Sequence, residues 1–156
     1  MKFIIRKATP EDVPAIFQLI EELALYEKAP QEVINTPEKM LVEGFGENPA
    51  YECLVAELET NKVIGISLYY YRYSTWKGKS IYLEDLIVTE KYRGIGAGKA
   101  LFERTAKECE VQNLPLFTWQ VLDWNTPSIN FYKKYGAKLD GEWINGKLTL
   151  EQIQKI

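Results

Sequence analysis

Apolar residues along the chain switch between two spacings. Val13, Ile16, Phe17, Ile20, Leu23 and Ala24 follow the three- and four-residue steps of a helix with one apolar face. Thr9-Pro10-Glu11-Asp12 opens that helix: Thr9 can cap it, Pro10 suits its first position, and the two acids favour its positive end. The same Thr-Pro start recurs at Thr36-Pro37-Glu38 and at Thr126-Pro127. Runs rich in β-branched and aromatic residues predict strands at Phe3 to Lys7, Tyr51 to Leu58, Val63 to Tyr73 and Lys79 to Val88. Glu59-Thr60-Asn61-Lys62 is the turn between the second and third of these. A helix is expected from about Ala97 to Gln112, then a strand from Leu116 to Leu122. A short helix from Pro127 to Tyr135, closed by Gly136, precedes two further strands, Ala137 to Trp143 and Lys147 to Leu150. This order predicts one α/β domain over residues 1–156, a mixed sheet with helices on both faces.

Composition narrows the chemistry. The 156 residues are 46% apolar and 26% charged, enough for one core in an ordinary globular chain. No apolar run approaches the roughly 18 residues of a membrane span, and Met1 to Arg6 does not resemble a signal peptide. A cytoplasmic protein with no membrane partner is expected. The net charge of −3 argues against nucleic acid, which needs a basic surface. The chain has no histidine, which removes Ser-His-Asp and Cys-His catalysis and the usual zinc sites, so no metal is expected. Cys53 and Cys109 form no CxxC pair. Acid–base work falls to Glu, Asp, Tyr, Lys or bound water.

The most informative segment is Val88-Thr89-Glu90-Lys91-Tyr92-Arg93-Gly94-Ile95-Gly96-Ala97-Gly98-Lys99-Ala100-Leu101. A strand runs into a basic, glycine-rich turn that opens a helix. Unpaired N–H groups and partial positive charge at that helix end favour a phosphate or pyrophosphate. The glycines let an anion approach the backbone. A dinucleotide fingerprint would read G-x-G-x-x-G, whereas the spacing here is G-x-G-x-G. A Walker A loop would need Ser or Thr where Ala100 stands.

Arg93-Gly94-Ile95-Gly96-Ala97-Gly98 resembles the R/Q-x-x-G-x-G/A motif of the GNAT N-acetyltransferase superfamily. The resemblance extends over nearly the whole chain and is closest to the diamine (spermidine/spermine) and thialysine acetyltransferase group. It is carried by Phe3 to Thr9, Glu22 to Glu27, Glu43 to Gly46, Tyr82-Leu83-Glu84-Asp85, Trp124-Asn125 and Ser128 to Lys133. It implies a mostly antiparallel twisted sheet, acetyl-CoA as acetyl donor, direct sequential transfer to a primary amine of a small cationic substrate, and a homodimer. A non-catalytic acyl-CoA-binding module and a peptide acetyltransferase are the alternatives.

The resemblance also distributes roles. Arg93, Gly94, Ile95, Gly96, Ala97, Gly98 and Lys99 are expected around the pyrophosphate, with Asn125 as a further cofactor contact. Leu86, Ile87 and Val88 would offer backbone groups to the pantetheine arm. Tyr132 would serve the departing thiolate and Glu84 would accept the amine proton through water. An alkyl ammonium of pKa about 10.4 is neutral in only about one molecule per few thousand at pH 7, so that proton needs an acceptor. Alternation along a strand lets only one of Glu84 and Asp85 face a given cleft. Glu27, Trp76, Asp85, Glu142 and Trp143 are the expected substrate-side residues, carboxylates and aromatic faces suited to an ammonium group. Spermidine/spermine acetyltransferases carry aspartate where Ser74 stands; Ser74-Thr75-Trp76-Lys77-Gly78 and Leu122-Asp123-Trp124-Asn125 look more like the thialysine branch.

Overall fold

The computed structural model describes residues 2–156. The chain forms two compact units, the first running to Gln120 and the second spanning Val121–Ile156. The first unit holds the whole sheet, with strands β1 (Phe3–Lys7), β2 (Glu52–Leu58), β3 (Val63–Ser74), β4 (Gly78–Val88) and β5 (Phe117–Trp119) in spatial order β1-β2-β3-β4-β5. The first three pairings are antiparallel and β4–β5 is parallel. This is the mixed, mostly antiparallel sheet expected. Its parallel pair follows from the crossover through α3 (Ala97–Val111).

Helices α1 (Val13–Tyr26) and α2 (Pro37–Phe45) cover one face of the sheet and α3 the other. Val13, Ile16 and Leu19 of α1 and Met40 of α2 pack on Cys53, Val55, Ile66, Leu68 and Ile87. On the opposite face Ala97, Leu101 and Cys109 of α3 meet Leu54, Ala56, Ile64, Ile81 and Val88. Covered on both sides, β3 has six consecutive buried residues, Ile64 to Tyr69, instead of an alternating pattern.

Two features fix how α3 approaches the sheet. A Cβ on Gly65 would come within 2.8 Å of Ile87 O and 2.9 Å of Val88 Cγ2, so β3, β4 and α3 meet closely only because that side chain is missing. Beside it, Ser67 Oγ and Thr105 Oγ1 lie 2.6 Å apart, both fully buried. Thr105 donates to Leu101 O, which leaves Ser67 to donate to Thr105. Both buried hydroxyls are thereby satisfied. On the other face Arg6 of β1 anchors the start of α1: it donates to both carboxylate oxygens of Asp12 at 2.6 and 2.9 Å and to Glu57 at 2.8 and 3.0 Å. The Arg6 guanidinium holds the Asp12 carboxyl below its ordinary range.

Element boundaries follow the sequence expectation closely up to Val111, except that Pro10–Asp12 forms a separate 3-10 turn and α1 begins at Val13 with Asp12, not Thr9, as its N-cap; they depart after it. β5 is three residues rather than the expected Leu116 to Leu122. In the second unit α4 covers Thr126–Lys133 and ends before Gly136, which takes φ 72°. The strands expected at Ala137 to Trp143 and Lys147 to Leu150 are absent, and residues 137–149 hold no regular element. Gly141 interrupts the first of these short alternations, and Asn145-Gly146 lie between the two. A one-turn helix, α5 (Leu150–Ile153), takes up the end of the second segment because Thr149 and Gln152 form a capping box. Among the described residues no helix is long and apolar enough to cross a membrane.

Candidate active site

In the first unit the glycine turn has the backbone that its sequence requires. Gly94 and Gly96 adopt φ of +82° and +91°, left-handed values that favour glycine. Gly96 is the N-cap of α3. The amides of Ala97, Gly98 and Lys99 therefore lie in the first turn, where a helix supplies no acceptor. A Cβ on Gly94 or Gly96 would meet nothing within 4 Å, so the backbone there borders open space. An open, left-handed turn ending in helix amides fits a pyrophosphate. Lys99 pairs with Glu103 at 3.8 Å on the exposed side of α3.

Arg93 is already engaged. Its Nε donates to Val88 O at 3.0 Å, its Nη2 is 3.9 Å from Glu22 Oε1, and its guanidinium lies 5.4 Å from the centre of the Tyr26 ring. Glu22 also accepts the amide of Glu90 at 2.9 Å. Neither Glu22 nor Tyr26 is among the site residues that the sequence singles out, although both lie in the Glu22 to Glu27 segment that carries part of the resemblance.

Strand β4 corrects the argument from alternation. Leu68 pairs with Asp85 and Tyr69 with Leu83, so Glu84 is the extra residue of a β-bulge. Before the bulge Tyr82 faces Tyr70, the two rings 5.3 Å apart. After it Asp85 lies opposite Leu68, on the same face as Tyr70. The bulge shifts the alternation by one, so Glu84 and Asp85 both reach the α1 side. Tyr70 makes a side-chain hydrogen bond with Glu84, a partner that sequence reasoning missed because it depends on strand register.

The electrostatics of this face follow from its carboxylates. Burial first, then Glu84 and Glu27, push the Asp85 carboxyl up to about 7. Glu27, at the C-cap of α1, is raised by desolvation. Burial and the Glu84 charge raise Tyr70 to about 12. A cation entering here would relieve mutual repulsion among three carboxylates. The raised Asp85 also gives a stability signature. Its folded pKa exceeds its ordinary value of 3.8, so its contribution is full below about pH 4 and is lost as pH rises through 7. Asp85→Asn should therefore raise Tm relative to wild type at pH 8, with the gain shrinking toward pH 4.5. A difference in Tm that does not vary with pH would show that Asp85 ionises normally.

The β4–β5 ladder ends at Leu83 and Trp119, while β4 runs on through Leu86 and Ile87 to Val88. The backbone expected to meet the pantetheine arm thus lies beyond the last β5 pair. At the far end of β4, Trp76 is 86% exposed on the hairpin turn. Ser74 Oγ accepts the amides of Trp76 and Lys77 at 3.3 and 3.2 Å. Ser74 thus shapes the turn that carries Trp76.

In the second unit Asn125 is buried and its Oδ1 caps α4 by accepting the Ser128 amide at 3.3 Å. Tyr132 is 7% exposed and its ring stacks edge-on with Phe131 at 5.3 Å. Glu142 and Trp143 are exposed in the irregular segment. The Glu142 amide donates to Asp140.

One strand therefore ends in an open glycine turn and, at its bulge, carries two carboxylates on one face. The chain belongs to the acetyltransferase (GNAT) family, whose model matches residues 15–137. It is similar to the thialysine N-epsilon-acetyltransferase of Mus musculus, 40% identical over 97% of this chain and 95% of that protein. The Bos taurus enzyme of the same name is 41% identical over 88% of this chain and 86% of its own length. The human spermidine/spermine N(1)-acetyltransferase-like protein 1 is 36% identical over 86% of this chain and 20% of that protein. Among solved structures, an aminoglycoside acetyltransferase from an uncultured soil metagenomic sample superposes with a TM-score of 0.76 at 20% identity, covering 95% of this chain and 96% of that one. A V. cholerae integron cassette protein gives 0.78 at 22% identity, covering 99% and 97%. These two likenesses bear on the fold alone.

Proposed function

We propose that the protein transfers acetyl directly from acetyl-CoA to a primary amine of a small cationic substrate, a thialysine-like amine or short diamine ahead of a long polyamine. The observation that carries this reading is the single strand β4, which bears the Glu84–Asp85 bulge in its course and opens the glycine turn just past its end. Amide groups at one end and carboxylates along one face suit an anionic donor and a cationic acceptor.

In this reading the amides of the turn and of the first turn of α3 hold the pyrophosphate, while Leu86 to Val88 pair with the pantetheine amides as an added strand would. Asp85 and Glu27 attract the substrate ammonium. Glu84 accepts its proton through water, which frees the nitrogen lone pair for attack on the thioester carbonyl. Tyr132 donates a hydrogen bond to the departing sulfur, and Asn125, at the N-cap of α4, is a further cofactor contact. Glu142, Trp76 and Trp143 contribute to recognition of the rest of the amine. A homodimer is part of the same reading. The exposed Trp143, Ile144, Leu148, Leu150 and Ile153 give the C-terminal segment an apolar surface that a second copy could cover.

Initial rates over a grid of acetyl-CoA and amine concentrations test the proposal, with thialysine, a short diamine, spermine and an amino-terminal peptide as acceptors. Intersecting lines are expected, with kcat/KM for thialysine or the diamine several-fold above that for spermine. Parallel lines, or acetyl label retained on Cys53 or Cys109, would refute direct transfer. A preference for spermine or for the peptide would refute the assigned substrate class.

A further inference from the structure

The engagement of Arg93 points to a residue outside the expected site. Within one helical turn α1 presents Glu22, which reaches both the Glu90 amide and the Arg93 guanidinium, and Tyr26, whose ring lies beside that guanidinium. The next residue, Glu27, acts on Asp85. One end of α1 therefore touches the segment leading into the glycine turn and carries the Glu27 charge that acts on Asp85 of β4. A guanidinium donating to Val88 O, with a carboxylate on one side and an aromatic ring on another, is part of a folded clasp. The side chain stays 44% exposed beyond these contacts.

We propose that Glu22 is a positioning residue that, through Arg93 and the Glu90 amide, fixes the glycine turn to the last turns of α1 and so sets the cofactor donors relative to the amine-binding carboxylates. This rests on the reading that the turn binds acetyl-CoA. Glu22 contacts neither substrate in this scheme. Its loss should weaken both binding steps while leaving the reacting groups intact. A role confined to local folding would lower Tm without linking the two.

Glu22→Gln keeps an oxygen that can accept the Glu90 amide but removes the charge facing Arg93. Glu22→Ala removes both. Because the ion pair is partly exposed, KM for acetyl-CoA and for the amine should each rise about fivefold in Glu22→Ala and about twofold in Glu22→Gln, with kcat nearly unchanged. In an Arg93→Ala background the Gln substitution should add almost nothing, because its target is gone. Titration with CoA, followed by calorimetry, should reproduce the cofactor change without turnover. Unchanged KM values in both variants, a rise confined to acetyl-CoA, a lowered Tm with unaltered constants, or full additivity with Arg93→Ala would each overturn the proposal. If Glu22→Ala does not fold, Glu22→Gln and the Arg93→Ala cycle decide by the same criteria. Wild-type protein that neither binds CoA nor turns over acetyl-CoA would refute the underlying reading. Wild type that does both, with unaffected Glu22 variants, would refute the positioning role alone.

Discussion

Gly96→Val is expected to raise the KM for acetyl-CoA about tenfold or more while the protein still folds. Gly96 sits at φ +91°, and a Cβ there would meet no atom within 4 Å, so the penalty is backbone strain and not a clash. A β-branched residue strongly disfavours that left-handed conformation, at a cost of roughly 1–3 kcal/mol. The turn can escape the strain only by rotating its peptides, which moves the amides that the pyrophosphate needs. Gly98→Ala is the matched control. Gly98 lies inside α3 without a left-handed φ, and a Cβ there would meet only Val88 Cγ2 at 3.6 Å, an ordinary contact. That variant should keep a near wild-type KM. Steady-state kinetics on both, with melting curves to confirm folding, make the comparison. Unchanged cofactor affinity in Gly96→Val would remove the turn from the binding site.

Tyr132→Phe should lower kcat about a hundredfold, the scale of a lost proton or hydrogen-bond donor, with CoA affinity unchanged. Tyr132 is 7% exposed and its ring lies edge-on to Phe131, and phenylalanine conserves that ring contact. The role is limited by acidity. A phenol near pKa 10 facing a thiol near 8.5 transfers its proton uphill by about 2 kcal/mol, so a hydrogen bond that strengthens as the sulfur gains charge is the workable contribution. Single-turnover rates alongside CoA titration separate chemistry from binding. Full activity in the phenylalanine variant would show that the tyrosine is simply a core ring. A parallel loss of CoA affinity would make it a binding residue.

The two site segments differ in how much of them was legible. The glycine turn was legible as a strand-to-helix turn, because helix initiation is a local property, while the left-handed values fall at Gly94 and Gly96 and not at Gly98. The carboxylate face was readable only in part. Glu84 and Asp85 stood out, but strict alternation separated them, and the bulge that brings them to one side arises from pairing with Leu68 and Tyr69, some sixteen residues away in sequence. The engagement of Arg93 by Glu22 was hidden for a similar reason. An exposed-looking glutamate on a helix carries no mark of the partner that the fold brings to it.

The sequence by itself determined the order of elements through α3, the apolar face of α1, the Thr36-Pro37 start of α2 and the glycine turn that opens α3. These rest on spacing, capping and φ preference, which act within a few residues. Only the tertiary structure decided the remainder. It ended β5 at Trp119 while β4 continued to Val88, and it left residues 137–149 without the strands that their short alternations suggested. It also put Glu84 and Asp85 on one face of β4 through the bulge and gave Arg93 to α1. Strand pairing, register and charge proximity are set by which distant segments pack together, and a local pattern holds no information about that choice until the core has formed.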